Sequence, residues 1–174
     1  MLITTAYRKE LQNIHKKDED WGTGPRGNII RICNFLYANN VKRLLDYGCG
    51  KGENLRWFLP TQVSVSNYDP AIPKWSADPA PEDYLLCTDV LEHVEPAYIE
   101  NVIEHLVSKF NKKAFLSIPL KKSKKLLSDG RNAHLIVKPA FWWIELLQRF
   151  CFVEHLEFAQ DSDEQDDILI TLKK

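Results

Sequence analysis

Three glycines spaced two residues apart constrain this chain more than any other feature of its sequence. They lie in the stretch Leu-Leu-Asp-Tyr-Gly-Cys-Gly-Lys-Gly at residues 44–52, where a β-strand predicted over Val41–Leu45 ends. Glycine adopts a positive φ without steric cost and lets neighbouring groups approach closely. We therefore expect a tight turn from a strand into a helix, with backbone N–H groups that can approach a ligand.

Segments with β-rich composition alternate with segments of helical periodicity along the rest of the chain. We predict strands over 41–45, 62–68, 84–88 and 114–118 and a closing hairpin of 151–158 and 168–172, with helices over 5–17, 29–37, 53–59, 96–110 and from Pro139. This order indicates an α/β fold, a Rossmann-like doubly wound sheet that is mostly parallel and ends in an antiparallel β-hairpin. The Pro-rich stretch 71–82 leaves little room for another strand and helix, so we expect the sheet to be shortened around strand three.

The composition is that of an ordinary globular protein. The 174 residues are 44% apolar and 27% charged, with a net charge of −1, so no overall field attracts nucleic acid or a membrane. We predict one domain over 1–174, in which the N-terminal helices of 1–40 cover the binding cleft. Four scattered cysteines without a C-x-x-C pair, and no leader or membrane-length apolar run, favour a cytoplasmic protein with no membrane partner.

Polar residues follow each predicted strand at the edge where parallel sheets bind ligands. Asp46 and the glycines follow the first strand, Asp69 follows the second, and Cys87-Thr88-Asp89 follows the next. Two of these acids also have a purely local interpretation. Asp69 is a typical turn residue before Pro70, and Asp89 with Glu92 three residues later fits a helix capping box.

Taken together, residues 44–52, Tyr68-Asp69-Pro70 and Thr88-Asp-Val-Leu-Glu-His-Val94 resemble the class I S-adenosylmethionine-dependent methyltransferases, and residues 7–11 resemble the small phage or bacterial type. The resemblance implies a sheet ordered 3-2-1-4-5-7-6, with S-adenosyl-L-methionine across the ends of strands one, two and four. It leaves the adenine contacts within 71–82 unassigned. The cofactor-binding residues that it implies are Asp46, Gly48, Cys49, Gly50, Gly52, Asp69, Pro70, Cys87, Thr88 and Asp89.

The resemblance also implies methyl transfer to an oxygen or nitrogen of a small-molecule or nucleic-acid acceptor. The donor is already activated, so the protein mainly positions the acceptor and excludes water. A base is needed only for an acceptor that is protonated, such as an alcohol. The candidate catalytic residues are His93, His134 and Asp89.

Asp89, Glu92 and His93 stand at spacings i, i+3 and i+4, which would share one face at the start of a helix. With the distant His134 they could hold a divalent metal such as Mn²⁺, Fe²⁺, Co²⁺ or Mg²⁺. The pattern resembles the metal-assisted 2′-O-methyltransferases that act on RNA ends. The histidines could instead only line the pocket of a metal-free enzyme or of a non-catalytic S-adenosylmethionine-binding module. A nicotinamide oxidoreductase is disfavoured because its fingerprint has a longer glycine spacing.

The remaining histidines and the basic loop have simpler interpretations. His15, His105 and His155 are predicted to lie at the surface or at its boundary. The loop Lys121–Lys125 is interpreted as solvated, with contact to an acidic substrate as the alternative. Trp142 and Trp143 are predicted in the core of the last helix.

Overall fold

The computed structural model describes residues 1–18, 21–22, 28–52, 55, 59, 62–160 and 166–174. The strands within these residues are β1 (Arg43–Tyr47), β2 (Ser64–Tyr68), β3 (Glu82–Thr88), β4 (Phe110–Pro119), β5 (Phe152–Gln160) and β6 (Asp166–Lys173). They form one sheet in the order β2-β1-β3-β4-β6-β5. The first four strands are parallel, and β6 runs antiparallel to both β4 and β5. The predicted fold class is therefore confirmed.

The sheet lacks a strand where the resemblance places strand three. Between β2 and β3 the chain makes only one short 3₁₀ turn, Pro73–Trp75. Pro79 and Pro81 have no N–H group to donate to a ladder, so this stretch cannot extend the sheet beyond β2. The remaining strands keep the implied order, and β2 becomes an edge strand.

The helices of the described residues are α1 (Thr5–Lys17), α2 (Ile29–Ala38), α3 (Ile99–Ser108) and α4 (Ala140–Gln148). The predicted bounds of α1 are confirmed, and Thr4 caps it by accepting the N–H of Tyr7. The predicted helix over 96–110 is too long, since a 3₁₀ turn precedes α3 and Phe110 already begins β4. The predicted helix over 53–59 lies outside the described residues apart from Leu55 and Leu59, as do residues 161–165 between the two strands of the predicted hairpin.

Apolar side chains fill both faces of the sheet, as parallel strands with alternating side chains require. On one face the β-strands pack against α3 and α4, where Trp143 is fully buried as predicted. On the other face they pack against α2 through Ile32, Phe35 and Leu36. A third, smaller cluster lies beneath α1 and joins Ile3 and Tyr7 to Leu127 and Ala133. This last cluster attaches α1 to the loop that follows β4.

Two further expectations concern the membrane and the cysteines. None of the helices in the described part of the chain has both the length and the apolar character needed to cross a bilayer. Cys33, Cys49, Cys87 and Cys151 form no disulfide.

Candidate active site

A cavity of about 300 Å³ lies at the carboxyl ends of the parallel strands. We name its two ends after the residues that line them. The glycine end comprises Asp46, Gly48, Cys49, Gly50, Asp69 and Pro70, and the histidine end comprises His15, Trp21, His93, Lys125 and His134. The side chains of Leu2, Ile3, Tyr7 and Leu11 from α1 and the segment before it also line the cavity. The position agrees with the rule that open α/β sheets bind ligands at this edge.

Most of the predicted site residues line this cavity. Of the cofactor-binding candidates, Asp46, Gly48, Cys49, Gly50, Asp69, Pro70, Thr88 and Asp89 do so, whereas Gly52 and Cys87 do not. The three catalytic candidates, His93, His134 and Asp89, line it as well. Glu92 is fully buried and is not among the lining residues.

The glycines are needed for backbone conformation and close packing. Gly48, Gly50 and Gly52 have φ angles of +79°, +53° and +71°, which L side chains rarely adopt. A Cβ at Gly48 would lie 2.4 Å from Val90 Cγ2, and one at Gly50 would lie 2.8 Å from the carbonyl oxygen of Gly22. Any larger residue would displace the segments that pack on this loop.

The N–H groups of the loop are used within the protein, which corrects the expectation that they approach a ligand. Gly48 and Cys49 both donate to the carbonyl oxygen of Tyr68, at 2.7 and 3.0 Å. Gly50 donates to the Asp69 carboxylate at 3.0 Å, and Lys51 donates to the Gly22 carbonyl at 3.4 Å. The loop is therefore held by the end of β2 before any ligand binds.

Two buried acids lie side by side at the glycine end. Burial, with the nearby charge of Asp69, raises the pKa of Asp46 to about 7. Burial also raises the pKa of Asp69, against the hydrogen bonds that its carboxylate accepts from Gly50 and from Ala71 at 2.8 Å. Asp69 is thus a turn residue, as its local interpretation predicts, and it also lines the cavity.

Asp89 differs from its capping-box prediction. It has a left-handed backbone with φ +56°, and Val90 stands at the N-cap of the single 3₁₀ turn Leu91–His93 without a side-chain cap. Asp89 instead accepts a hydrogen bond from the Ser117 hydroxyl of β4 at 2.9 Å. The helical spacing of Asp89, Glu92 and His93 therefore does not describe their geometry. A left-handed non-glycine residue is a costly conformation that is often found at functional sites.

Glu92, His93 and His134 come together beside the cavity. One ligand atom from each lies within 4.8 Å of the others. The Nε2 atoms of His93 and His134 are 3.7 and 4.0 Å from Glu92 Oε1. Asp89, the fourth member of the predicted metal set, does not belong to this group.

Both imidazoles present an unprotonated Nε2 to this group. The Nδ1 atoms of His93 and His134 lie 2.7 and 2.6 Å from the carbonyl oxygens of Ala133 and Lys121. Because a carbonyl oxygen only accepts, each Nδ1 carries the hydrogen and each Nε2 keeps its lone pair. Burial, then the neighbouring His134, lowers the pKa of His93 to about 4, and burial lowers the pKa of His134. Both rings are therefore neutral at pH 7.

The carboxyl group of Glu92 faces these lone pairs without a hydrogen-bond partner. Neither of its oxygens has one among the described residues, and the side chain is fully buried. Burial, reinforced by the charge of Asp89, raises the pKa of Glu92 well above its usual range. Three groups rich in lone pairs therefore converge, an arrangement that favours a shared proton or a bound cation.

Hydrogen bonds tie α1 to the two segments that carry the histidines. The Tyr7 hydroxyl donates to the carbonyl oxygen of His93 at 2.8 Å. The N–H and the hydroxyl of Thr4 each donate to the Glu95 carboxylate at 2.8 Å. Ser128, in the loop before His134, donates to Glu10 through its N–H and its hydroxyl, at 2.8 and 2.7 Å.

Sequence reasoning missed three residues of the histidine end. His15 is half-buried, as its prediction as a surface or boundary residue allows, but it also lines the cavity, and burial with the nearby charge of Lys51 lowers its pKa to about 4. The Trp21 ring centre lies 5.5 Å from that of His93. Lys125 pairs with Asp18 at 2.6 Å and lies 5.3 Å from the Trp21 ring centre. No spacing in the sequence relates these residues, because they meet only through the packing of α1.

The solvent exposure of side chains tests two further predictions, for His155 and for the basic loop. His155 is exposed, as predicted. In the basic loop, Lys121, Lys122 and Lys124 are exposed, and Lys125 turns toward the cavity. The solvated interpretation therefore holds for most of the loop, and its last lysine is half-exposed and also lines the cavity.

Solved structures of methyltransferases share this fold. The chain aligns with the 1,6-didemethyltoxoflavin-N1-methyltransferase of Burkholderia thailandensis, crystallised with 1,6-didemethyltoxoflavin and S-adenosylhomocysteine, at a TM-score of 0.72 and 15% identity over 97% of this chain and 87% of that one. The chain also aligns with the N-methyltransferase NodS of Bradyrhizobium japonicum, crystallised with S-adenosylhomocysteine. The TM-score is 0.67 and the identity 13%, over 96% of this chain and 97% of that one. A third alignment, with the methyltransferase domain of bacterial CtHen1, has a TM-score of 0.60 and 14% identity over 86% of this chain and 98% of that one.

Comparison of sequences gives the family. A search of curated protein sequences found no match. The profile of a methyltransferase domain family matches residues 24–162, which include the glycine loop, Asp69 and the Glu92–His93–His134 group. The resemblance to class I S-adenosylmethionine-dependent methyltransferases is thereby confirmed at the level of the family. The chain belongs to the methyltransferase domain family.

Proposed function

We propose that the protein transfers the methyl group of S-adenosyl-L-methionine to an oxygen atom of an acceptor bound at the histidine end of the cavity. Family membership supports methyl transfer, and two structural neighbours were crystallised with S-adenosylhomocysteine, which is the product left by this donor. We infer an oxygen acceptor, and not a nitrogen acceptor, from the pair of unprotonated Nε2 atoms of His93 and His134 beside Glu92.

The donor binds at the glycine end in this proposal. Asp46 and Asp69 form an acidic wall, and a ligand with a positive sulfonium and a positive ammonium group relieves the repulsion between them. Asp46 faces the methionine part, Asp69 the ribose, and Thr88 and Asp89 the adjoining rim. The glycine loop contributes shape and rigidity, since its N–H groups already have partners.

The histidine end holds the acceptor and removes its proton. A neutral amine needs no base in order to attack a sulfonium, whereas a hydroxyl must lose its proton. The Nε2 of His93 or His134 accepts this proton because the backbone carbonyls keep the hydrogen on Nδ1. The apolar side chains Leu2, Ile3 and Leu11 exclude water from the reacting groups.

The position of α1 favours a small acceptor. Side chains of α1 and of the segment before it line the cavity and limit access on that side. Lys125 lines the cavity but is already paired with Asp18, so it attracts the phosphates of a polynucleotide less strongly. We therefore favour a small hydroxyl compound over a nucleic acid.

Turnover and binding measurements test this proposal. We expect calorimetry to show binding of S-adenosyl-L-methionine and S-adenosylhomocysteine but not of NADH. We expect S-adenosylhomocysteine release with some member of a panel of phenols, aliphatic alcohols, amines and short RNAs. His93→Ala should lower turnover of a hydroxyl acceptor by about two orders of magnitude, and the exposed His155→Ala should leave it unchanged. Tight binding without turnover on any acceptor would instead identify a non-catalytic binding module, and preference for NADH would overturn the proposal.

A second candidate function uses the same three residues as ligands of a divalent cation. Glu92, His93 and His134 would hold it, and the unpartnered Glu92 oxygens and the carbonyl-bound Nδ1 atoms fit such a site. One carboxylate and two imidazoles suit Mn²⁺, Fe²⁺ or Co²⁺. Bound there, the cation would supply Lewis-acid activation of an acceptor hydroxyl. This candidate corresponds to the metal-assisted 2′-O-methyltransferases of RNA ends, and the likeness to the CtHen1 domain is compatible with it.

Metal analysis separates the two candidates. With a cation site, the purified protein should bind about one Co²⁺ per chain, with a visible absorption band, and His134→Ala and Glu92→Gln should each abolish the band. The matched control is His155→Ala, which removes an exposed histidine outside the group. Full turnover after exhaustive chelation, with no cobalt band, would contradict the cation site and leave proton removal by histidine.

A further inference from the structure

Tyr47, His105 and Asp78 form a chain of hydrogen bonds behind the glycine end. The Tyr47 hydroxyl lies 2.7 Å from His105 Nδ1, and His105 Nε2 lies 2.8 Å from the Asp78 carboxylate. Tyr47 lines the cavity at the end of β1, His105 belongs to α3, and Asp78 belongs to the segment between β2 and β3. The prediction that His105 is a surface or boundary residue missed this connection, since its side chain is only 17% exposed.

Proton positions in this chain of hydrogen bonds follow from the chemistry of its ends. Lys109 and His105 lower the pKa of Asp78, so its carboxylate is ionised and only accepts. His105 therefore carries its hydrogen on Nε2 when neutral, and Nδ1 accepts from the Tyr47 hydroxyl. The two ring nitrogens thus have separate roles, because Nδ1 binds Tyr47 of β1 and Nε2 binds Asp78 of the segment between β2 and β3.

The segment reached by His105 is the one that replaces strand three. We call residues 70–81 the rim segment; it begins beside Asp69 and contains no β-strand. Its first part is attached to β2, because Asp69 donates its N–H to the Trp75 carbonyl at 3.1 Å. Its Trp75 ring also packs on the glycine loop, 2.7 Å from where a Cβ of Gly52 would stand. Its later part is attached to α3 through Asp78, which binds His105 and Lys109 at 2.8 Å.

We propose that His105 is a positioning residue for the methyl donor. It holds Asp78 and, through Asp78, the rim segment. This segment takes the place of a third strand in supporting the cavity wall beside Asp69 and Pro70. The inference rests on the proposed binding of S-adenosyl-L-methionine at the glycine end. It concerns the adenosine part of that donor, since the rim segment adjoins the acid assigned to the ribose. His105 does not touch the donor and acts through Asp78.

Two substitutions at one position separate the two roles of the ring. The side-chain amide of Gln reaches the place of Nε2, so His105→Gln keeps the bond to Asp78 and loses the bond to Tyr47. The amide of Asn reaches only the place of Nδ1, so His105→Asn keeps Tyr47 and loses Asp78. Asp78→Ala removes the same bond from the other side. Glu100→Gln is the control, because Glu100 lies on the same helix and pairs with Arg149 at the surface.

Binding is measured by calorimetry with S-adenosylhomocysteine and with 5′-methylthioadenosine, which shares the adenosine part but lacks the amino-acid part. We expect His105→Asn and Asp78→Ala to weaken both ligands equally, by about tenfold, with faster amide hydrogen exchange in the rim segment. His105→Gln and the control Glu100→Gln should stay within about threefold of the unmodified protein. A merely structural role would lower the melting temperature of both His105 variants and leave affinity intact.

The outcomes are distinct. Equal affinities for all variants, or a larger loss in His105→Gln than in His105→Asn, would overturn the positioning role while leaving the proposed function in place. Failure of the unmodified protein to bind either ligand would overturn the proposed function, and this inference with it. Folding of each variant is checked by circular dichroism and thermal unfolding before binding is measured.

Discussion

The glycine end of the cavity is lined by two short stretches of sequence, whereas the histidine end draws on five separate positions. The first is held by backbone hydrogen bonds between adjacent parallel strands, such as those from Gly48 and Cys49 to Tyr68. The second is held by side-chain bonds from α1, such as that from Tyr7 to His93. We infer that the glycine end is preformed and that access to the histidine end depends on α1.

The two ends also differ in charge. Asp46 and Asp69 make the glycine end acidic, and it suits a cationic ligand. At the histidine end, burial lowers the pKa values of His15, His93 and His134, so these rings are neutral at pH 7. Substitutions at one end should therefore leave the other largely unaffected, and the following predictions test this separation.

The largest effect is expected for Gly50→Ala at the glycine end. Its φ of +53° strains any L side chain, and the new Cβ would stand 2.8 Å from the Gly22 carbonyl oxygen. We expect affinity for S-adenosylhomocysteine to fall by at least about 100-fold, or about 2.7 kcal/mol, as measured by calorimetry. Gly130→Ala is the control: its φ is +82° with nothing within 4 Å, so it has the strain without the contact. If the affinity of Gly50→Ala for S-adenosylhomocysteine stayed within threefold of that of the unmodified protein, the close packing would be dispensable.

A smaller effect, with opposite signs for binding and stability, is expected for Asp46→Asn. The folded pKa of about 7 lies above the ordinary value of 3.8, so the folded protein binds this proton more tightly than the unfolded chain. The resulting stabilisation is fully present below pH 4 and is lost as the pH rises through 7. Asparagine avoids that loss, so the variant should be more stable than the unmodified protein at pH 8, by up to about 4 kcal/mol, and nearly equal at pH 4.

Urea unfolding at several pH values, combined with calorimetry, checks the Asp46 prediction. Affinity for S-adenosyl-L-methionine should fall by about tenfold because the cationic ligand loses a carboxylate partner. The control is Asp83→Asn, an exposed acid whose pKa is lowered by Lys112, so its substitution should not stabilise the protein at pH 8. A variant that is less stable than the unmodified protein at pH 8 would contradict the burial of an ionised Asp46.

The smallest effect is expected for Tyr7→Phe at the histidine end. It removes the 2.8 Å hydrogen bond to the His93 carbonyl, and we expect a loss of about 1 kcal/mol in unfolding free energy. Amide hydrogen exchange in α1 should become faster, while affinity for S-adenosylhomocysteine stays within twofold. Tyr37→Phe is the control, because Tyr37 is 90% exposed on α2. A tenfold loss of donor affinity in Tyr7→Phe would show that the two ends are not independent.

The glycine end was largely predictable because its residues are neighbours in sequence or lie at the ends of adjacent parallel strands. Asp46 lies near the end of β1, and Gly48, Gly50 and Asp69 follow β1 or β2, whose carboxyl ends must meet at one edge. The use of the loop N–H groups was not predictable, since it depends on the alignment of Tyr68 with Tyr47 across the β1–β2 register. The prediction that Asp89 caps a helix was wrong for a related reason, because its side chain binds Ser117 on another strand.

The histidine end was predictable only in part. His93 and His134 could be paired from the pattern, but Asp89 was wrongly grouped with them because a single 3₁₀ turn replaces the expected helix start. His15, Trp21 and Lys125 were missed because the first two are remote in sequence from the third and meet it only through the packing of α1. The link from His105 to Asp78 belongs to the same class of long-range contact.

The sequence by itself determined the elements, their parallel order and the positive φ angles of the glycine loop, because these depend on local sterics and on the period of apolar side chains. Only the tertiary structure decided that Glu92, His93 and His134 converge, that the three cavity histidines are neutral, and that Asp46 holds its proton near pH 7. Burial and charge–charge distance set these properties, and both arise from contacts between residues that are remote in the chain.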